Sequence, residues 1–169
     1  MKKSNKYHKK SLDRSKQVRI HILIFVALLL LSGVTAWPLE TESNFGIQFV
    51  HILPDFIVPW ILRVYDGIHY NAIHYPFIQY GTDWLAFAHV GIAIAFWGPY
   101  HNPFRNIWVI QYAMILSLLI IPNALICGYI RHIPIVWQCI DMSFGIVSFF
   151  YLLFIYKKIK KIEQITFHT

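Results

Sequence analysis

Asp141 is the residue in this sequence with the clearest potential for chemistry. It lies in Trp137-Gln138-Cys139-Ile140-Asp141-Met142-Ser143, about two helical turns into an apolar run. There an unpaired carboxylate must take up a proton or find a donor. Asn123 follows the kinking Pro122 at a comparable depth in the preceding apolar run, and Arg131 and His132 cap the short turn between the two. His89 is the one histidine read as buried, near the middle of an earlier run, with Asp83 about two turns outward on a similar face. Convergence of Asp83, His89, Asn123, Arg131 and Asp141 would make a polar cluster suited to proton relay, ligand binding or metal binding. The alternative, which the residue types favour, is a hydrogen-bonded network that fixes helix register. No member is assigned a catalytic role.

Metal and cofactor chemistry find little support. Bis-histidine haem ligation needs two histidines at matching depth, whereas His21 lies at the inner end of its run and His132 in a turn. His51, His69, His74 and His132, with Asp55 and Asp66, match no ligand spacing. No phosphate-binding loop, nucleophile elbow or paired-histidine metalloprotease motif occurs. No cofactor or metal is therefore expected.

The elements that position these residues follow from composition. Of 169 residues, 57% are hydrophobic and 14% charged, with a mean hydropathy of +0.49, which excludes an ordinary soluble domain and a disordered tail. Four apolar runs, at 20–37, 81–97, 107–129 and 134–156, are candidates to cross a hydrocarbon core of about 30 Å. The second is the shortest and borrows Tyr80 and Tyr100 at its ends. The expected fold is an all-α integral membrane protein: a four-transmembrane-helix bundle with an external amphipathic interfacial segment, 38–80, between helices 1 and 2, forming a single membrane domain at 20–156.

Charge sets the orientation. Lys2, Lys3, Lys6, Lys9, Lys10, Arg14, Lys16 and Arg19 precede the first span in a basic tail, 1–19, and Lys157, Lys158, Lys160 and Lys161 follow the last in a second tail, 157–169. Both tails are expected in the cytoplasm, as an even number of spans requires. With Arg105, thirteen basic residues then face Asp13 and Glu163 inside, a net of +11; Arg63 and Arg131 against Glu40, Glu42, Asp55, Asp66, Asp83 and Asp141 leave −4 elsewhere. The formal +7 therefore reports topology. The basic start abuts a span and lacks interleaved aromatics beyond Tyr7, which argues against nucleic acid and makes attraction to anionic lipid a side effect. A cleaved signal peptide ending near Val34-Thr35-Ala36 is the rival reading; the apolar stretch running on to Trp37-Pro38 favours retention.

In the segment 38–80, Phe45, Phe49, Ile52, Leu53, Phe56, Ile57, Trp60, Ile61 and Val64 recur at helical intervals. It is expected to lie on the membrane surface as two short helices broken by Pro54 and Pro59; a re-entrant loop is the alternative. Trp37, Trp84, Trp97, Trp108 and Trp137 fall at the expected span ends. Ala86, Ala88, Gly91, Ala93 and Ala95 make the second span slender, and Gly91-x3-Ala95 marks it as the central helix. Cys127 and Cys139 read as small residues packed between helices, with a disulfide across the outer turn as the alternative.

Gly33-Val34-Thr35-Ala36-Trp37-Pro38-Leu39-Glu40-Thr41-Glu42, Tyr80-Gly81-Thr82-Asp83-Trp84 through His89, Gly98-Pro99-Tyr100-His101-Asn102-Pro103-Phe104-Arg105-Asn106-Ile107-Trp108, and Arg131-His132-Ile133-Pro134 through Gly145 together resemble a family of small, uncharacterised bacterial inner-membrane proteins, seen especially in Bacteroidota. The likeness covers roughly 33–146. It implies an uncleaved first span and no particular activity. Three classes then compete: a structural or accessory component that binds a membrane-protein partner or a second copy, a proton-linked transporter component, and an outer-leaflet enzyme using Asp83, His89 and Asp141 together. Four short spans leave little room for a transporter's inverted repeats, and the first class is preferred.

Overall fold

A computed structural model describes the backbone of residues 2–167 and the side chains of residues 15–164. The side chains of Lys2, Lys3, Lys6, Lys9, Lys10 and Arg14, on which much of the basic first tail rests, lie outside it. The described residues are helical, without strands: α1 (Lys2–Val34), α2 (Leu39–Gly46), a 3-10 segment (Ile47–Ile52), α3 (Val58–His74), α4 (Pro76–Ala95), α5 (Trp97–His101), α6 (Ile107–Ile130) and α7 (Ile135–Phe167). Among the described residues, three helical stretches are long and apolar enough to cross a membrane: Ser15–Val34, Ile107–Ile130 and Ile135–Gln164. The basic flanks are helical and continue α1 and α7.

The chain divides into two compact units, Met1–Phe25 with Ala95–Thr169, and Val26–Ile94. In the first, α6 and α7 form an antiparallel hairpin. Its turn is a Schellman motif: Ile133 N–H donates to Gly128 O at 2.9 Å and His132 N–H to Tyr129 O at 3.3 Å. His132 takes the left-handed position, φ 55°, that glycine normally fills. Close approach of the two helices uses the buried Ala113 and Ser117 of α6 and Gly145 of α7. A Cβ on Gly145 would lie 2.5 Å from the Ser117 carbonyl oxygen. Ser117 satisfies its buried hydroxyl locally, donating to Ala113 O at 2.8 Å.

The middle of α1 packs beside the C-terminal half of α7, where Val18, Ile22, Leu152, Ile155 and Ile159 are fully buried. Residues 96–101 run back along α1, since Phe96 packs on Phe25 with ring centroids 4.9 Å apart and Arg19 donates to His101 O at 3.1 Å. Asn106 ties this loop to the start of α6, donating to Gly98 O and Asn102 O.

In the second unit, α2, the 3-10 segment and α3 pack together. Pro54 falls in the break between helices, as expected, but Pro59 does not break anything. It occupies the first turn of α3, where the missing N–H costs no bond. Tyr75 before Pro76 leaves helical geometry, φ −140° and ψ 56°, which separates α3 from α4. Gln79 donates to Ile68 O at 3.1 Å across that joint.

α4 corrects two expectations. It begins at Pro76, five residues before the apolar run, and its 20 residues give a length of about 30 Å. It is not enclosed by protein within the chain: only Ala86 and Ala93 are buried, while Trp84, Leu85, Phe87 and Ile94 are exposed. Gly91 and Ala95 are exposed as well, and a Cβ on Gly91 would meet nothing. The intimate glycine is Gly33 of α1, whose added Cβ would lie 2.6 Å from His89 Cβ and 3.2 Å from Ala86 O.

Candidate functional site

At the turn end of the α6–α7 hairpin, Asn123, Cys127 and Gly128 of α6, Arg131 in the turn, and Gln138 and Asp141 of α7 line an open cleft of about 200 Å³. The helix geometry explains the convergence. Asn123, Cys127 and Arg131 follow one another at four-residue intervals, as Gln138 and Asp141 do at three, so each set occupies one helix face. Gln138 is buried and fixed, donating from Nε2 to Ile133 O at 2.7 Å, and it fills the space that Gly128 leaves by having no side chain. Asp141 is half-buried, and among the described residues its carboxylate accepts no hydrogen bond and pairs with no cation. The cleft thus combines an open acceptor at Asp141, an exposed amide at Asn123 and an exposed guanidinium at Arg131.

Three of the five residues of the expected cluster come together within one unit. Asn123, Arg131 and Asp141 share this cleft, whereas Asp83 and His89 belong to the second unit. Six residues apart on α4, Asp83 and His89 point about 120° away from each other, so they do not share a face. His89 is half-buried, not buried, and its Nδ1 donates to Leu85 O of its own helix at 2.8 Å. Cys127 and Cys139 are both free and exposed, which corrects the reading of them as interhelical packing residues. Cys127 Sγ donates to Asn123 Oδ1 at 3.5 Å. No group of three or more His, Cys, Asp or Glu able to hold a metal ion occurs among the described residues.

The residue pattern did not reveal a second polar assembly in the first unit, between α1 and α7. Lys158 Nζ lies 3.0 Å from His21 Nε2, and His21 Nδ1 lies 3.1 Å from Tyr151 Oη. A lysine ammonium can only donate, so Nε2 accepts and the imidazole carries its proton on Nδ1. Nδ1–H then donates to Tyr151 Oη, and the tyrosine hydroxyl donates to His21 O at 3.4 Å. These three contacts together fit a neutral His21 imidazole. The Lys158 ammonium also sits 4.5 Å above the Phe154 ring centre. The one available sequence signal was Tyr151, whose hydroxyl inside an apolar helix requires a partner.

In the second unit, Glu40 Oε1 lies 3.6 Å from His69 Nδ1, and the His69 ring stacks on Tyr65. At that distance the contact is an ion pair only with His69 protonated and is not a hydrogen bond.

The chain matches no protein-family model, no curated protein and no solved structure. The reading of function therefore rests on the two polar assemblies and the apolar surface around them.

Proposed function

We propose that this chain is a four-span bacterial inner-membrane protein of the family it resembles, with both termini in the cytoplasm, that serves as a structural or accessory component. Its outward-opening cleft on α6 and α7 receives a membrane-protein partner or a second copy. The observation that carries this reading is the Asp141 carboxylate, which opens into the cleft beside Asn123 with no donor among the described residues. Polar groups left open at membrane depth favour helix association, because lipid offers them no partner.

The length of α4 supports a fourth span: its 20 residues make about 30 Å of helix, enough to cross a hydrocarbon core. Three spans would also put one of the two lysine-rich ends outside, against the usual bias of basic flanks. The His21–Lys158 contact supports a common side for those ends. Phe45, Ile52, Phe56, Ile73 and Phe77, each at least 64% exposed, suit an external segment lying at the lipid interface.

Replacing Asp141 by leucine keeps the helix apolar and removes the open acceptor. Full-length tagged protein extracted in mild detergent is expected to bring down a membrane partner or a second copy, and D141L to retain it at least about tenfold less at unchanged abundance. Wild-type protein that isolates as a bare monomer, or D141L with undiminished capture, contradicts the reading. A pH-dependent flux that requires Asp141 would favour the proton-linked class instead.

A further inference from the structure

We infer that the cleft formed by Gln17 of α1 with Lys158 and Lys161 of α7 binds the phosphate headgroup of an anionic phospholipid. This cleft, about 200 Å³, lies in the first unit at the opposite end of α7 from Asp141. Two ammonium groups and one amide line it, and among the described residues neither lysine meets a carboxylate; Glu163 is taken by Lys160 at 2.8 Å. Lysines serve phosphate as point charges, and the amide of Gln17 adds a directional donor.

Two further features distinguish this cleft from a casual pair of surface lysines. The first is that Lys158 is held in place. His21 accepts one of its N–H groups at 3.0 Å, the Phe154 face receives the ammonium at 4.5 Å, and His21 is itself braced by Tyr151. None of these partners neutralises the charge, so the ammonium is positioned without a counter-ion. The second is the surface that leads away from the cleft. On α7, Phe154 and Val147 lie four and eleven residues before Lys158 and share its face, with exposures of 43% and 68%. On α1, Ile24 lies seven residues after Gln17 on the same face and is 43% exposed. A charged head site thus continues into apolar ridges on both helices, the complement of a headgroup joined to acyl chains. A free phosphate ion would use only the first part of that surface. Basic pockets between spans at the cytoplasmic side suit lipid headgroups for this reason.

The test uses the full-length protein in detergent, so it does not depend on membrane orientation or on the partner proposed above. Native mass spectrometry with added phosphatidylglycerol or phosphatidylcholine of identical chains is expected to show one tightly held lipid and at least a tenfold preference for phosphatidylglycerol. The double variant Lys158→Gln with Lys161→Gln should lose that preference, and Lys158→Arg with Lys161→Arg should keep it. Lys2→Gln with Lys3→Gln removes the same charge elsewhere and should leave binding unchanged. Equal retention of the two lipids by the wild type overturns the proposal, as does a loss in the Lys2 and Lys3 variant equal to that in the cleft variant. Displacement of phosphatidylglycerol by millimolar inorganic phosphate would assign the site to the free ion and overturn it as a lipid site.

Discussion

Replacing Gly145 by alanine is expected to destabilise the α6–α7 hairpin by about 2 kcal/mol, although alanine is the better helix former. Propensity alone would favour the substitution by up to about 1 kcal/mol. Packing outweighs that gain, because the new methyl group would lie 2.5 Å from the Ser117 carbonyl oxygen and 3.0 Å from Ile120 Cβ. The first of these is backbone, which cannot swing aside, so α6 as a whole must retreat and lose contact along the seam. Gly91 provides the control. A Cβ there meets nothing, so Gly91→Ala should leave stability unchanged or raise it slightly. Thermal unfolding in one detergent compares the two variants: a fall of several degrees for Gly145→Ala beside none for Gly91→Ala is the expected pattern. Equal behaviour would mean that the hairpin is not packed as described.

Gly33→Ala is expected to have an effect of similar size, on the contact between α1 and α4. Its Cβ would fall 2.6 Å from His89 Cβ and 3.2 Å from the Ala86 carbonyl oxygen. Alanine at His89 would not relieve the clash, because the Cβ remains, whereas glycine would. The pair Gly33→Ala and His89→Gly should therefore couple by about 1 kcal/mol or more in a double-mutant cycle. Additive effects would show that α4 does not run alongside the C-terminal end of α1.

The parts of the fold that were legible in sequence are those written in composition. The first and last spans could be read because long apolar runs end in clusters of lysine and arginine, a signal that survives any detail of packing. The α6–α7 turn was legible in Arg131-His132-Ile133-Pro134, where a proline follows the chain reversal. The start of α4 was not, because Tyr80, Gly81 and Thr82 resemble an interface, while Pro76 begins a helix as readily as it ends one.

Spacing motifs misled where they leave the facing side undetermined. Gly91-x3-Ala95 has the spacing for close approach but points away from protein, whereas Gly33 and Gly145, which carry no such motif, make the tight contacts. Within the candidate site, Asn123, Arg131 and Asp141 could be grouped because short sequence separation fixes their geometry. Gln138 was overlooked because its importance comes from the cavity left by Gly128. His21 and Tyr151 are 130 residues apart, and only the folding of α1 against α7 reveals them as partners.

Protection of an epitope tag at each terminus in sealed spheroplasts tests the central claim, four spans with both ends in the cytoplasm, most directly. Both tags should survive external protease and be cut together once the membrane is opened. Cleavage of one tag in sealed spheroplasts, with the other protected, would put the ends on opposite sides and contradict the four-span account.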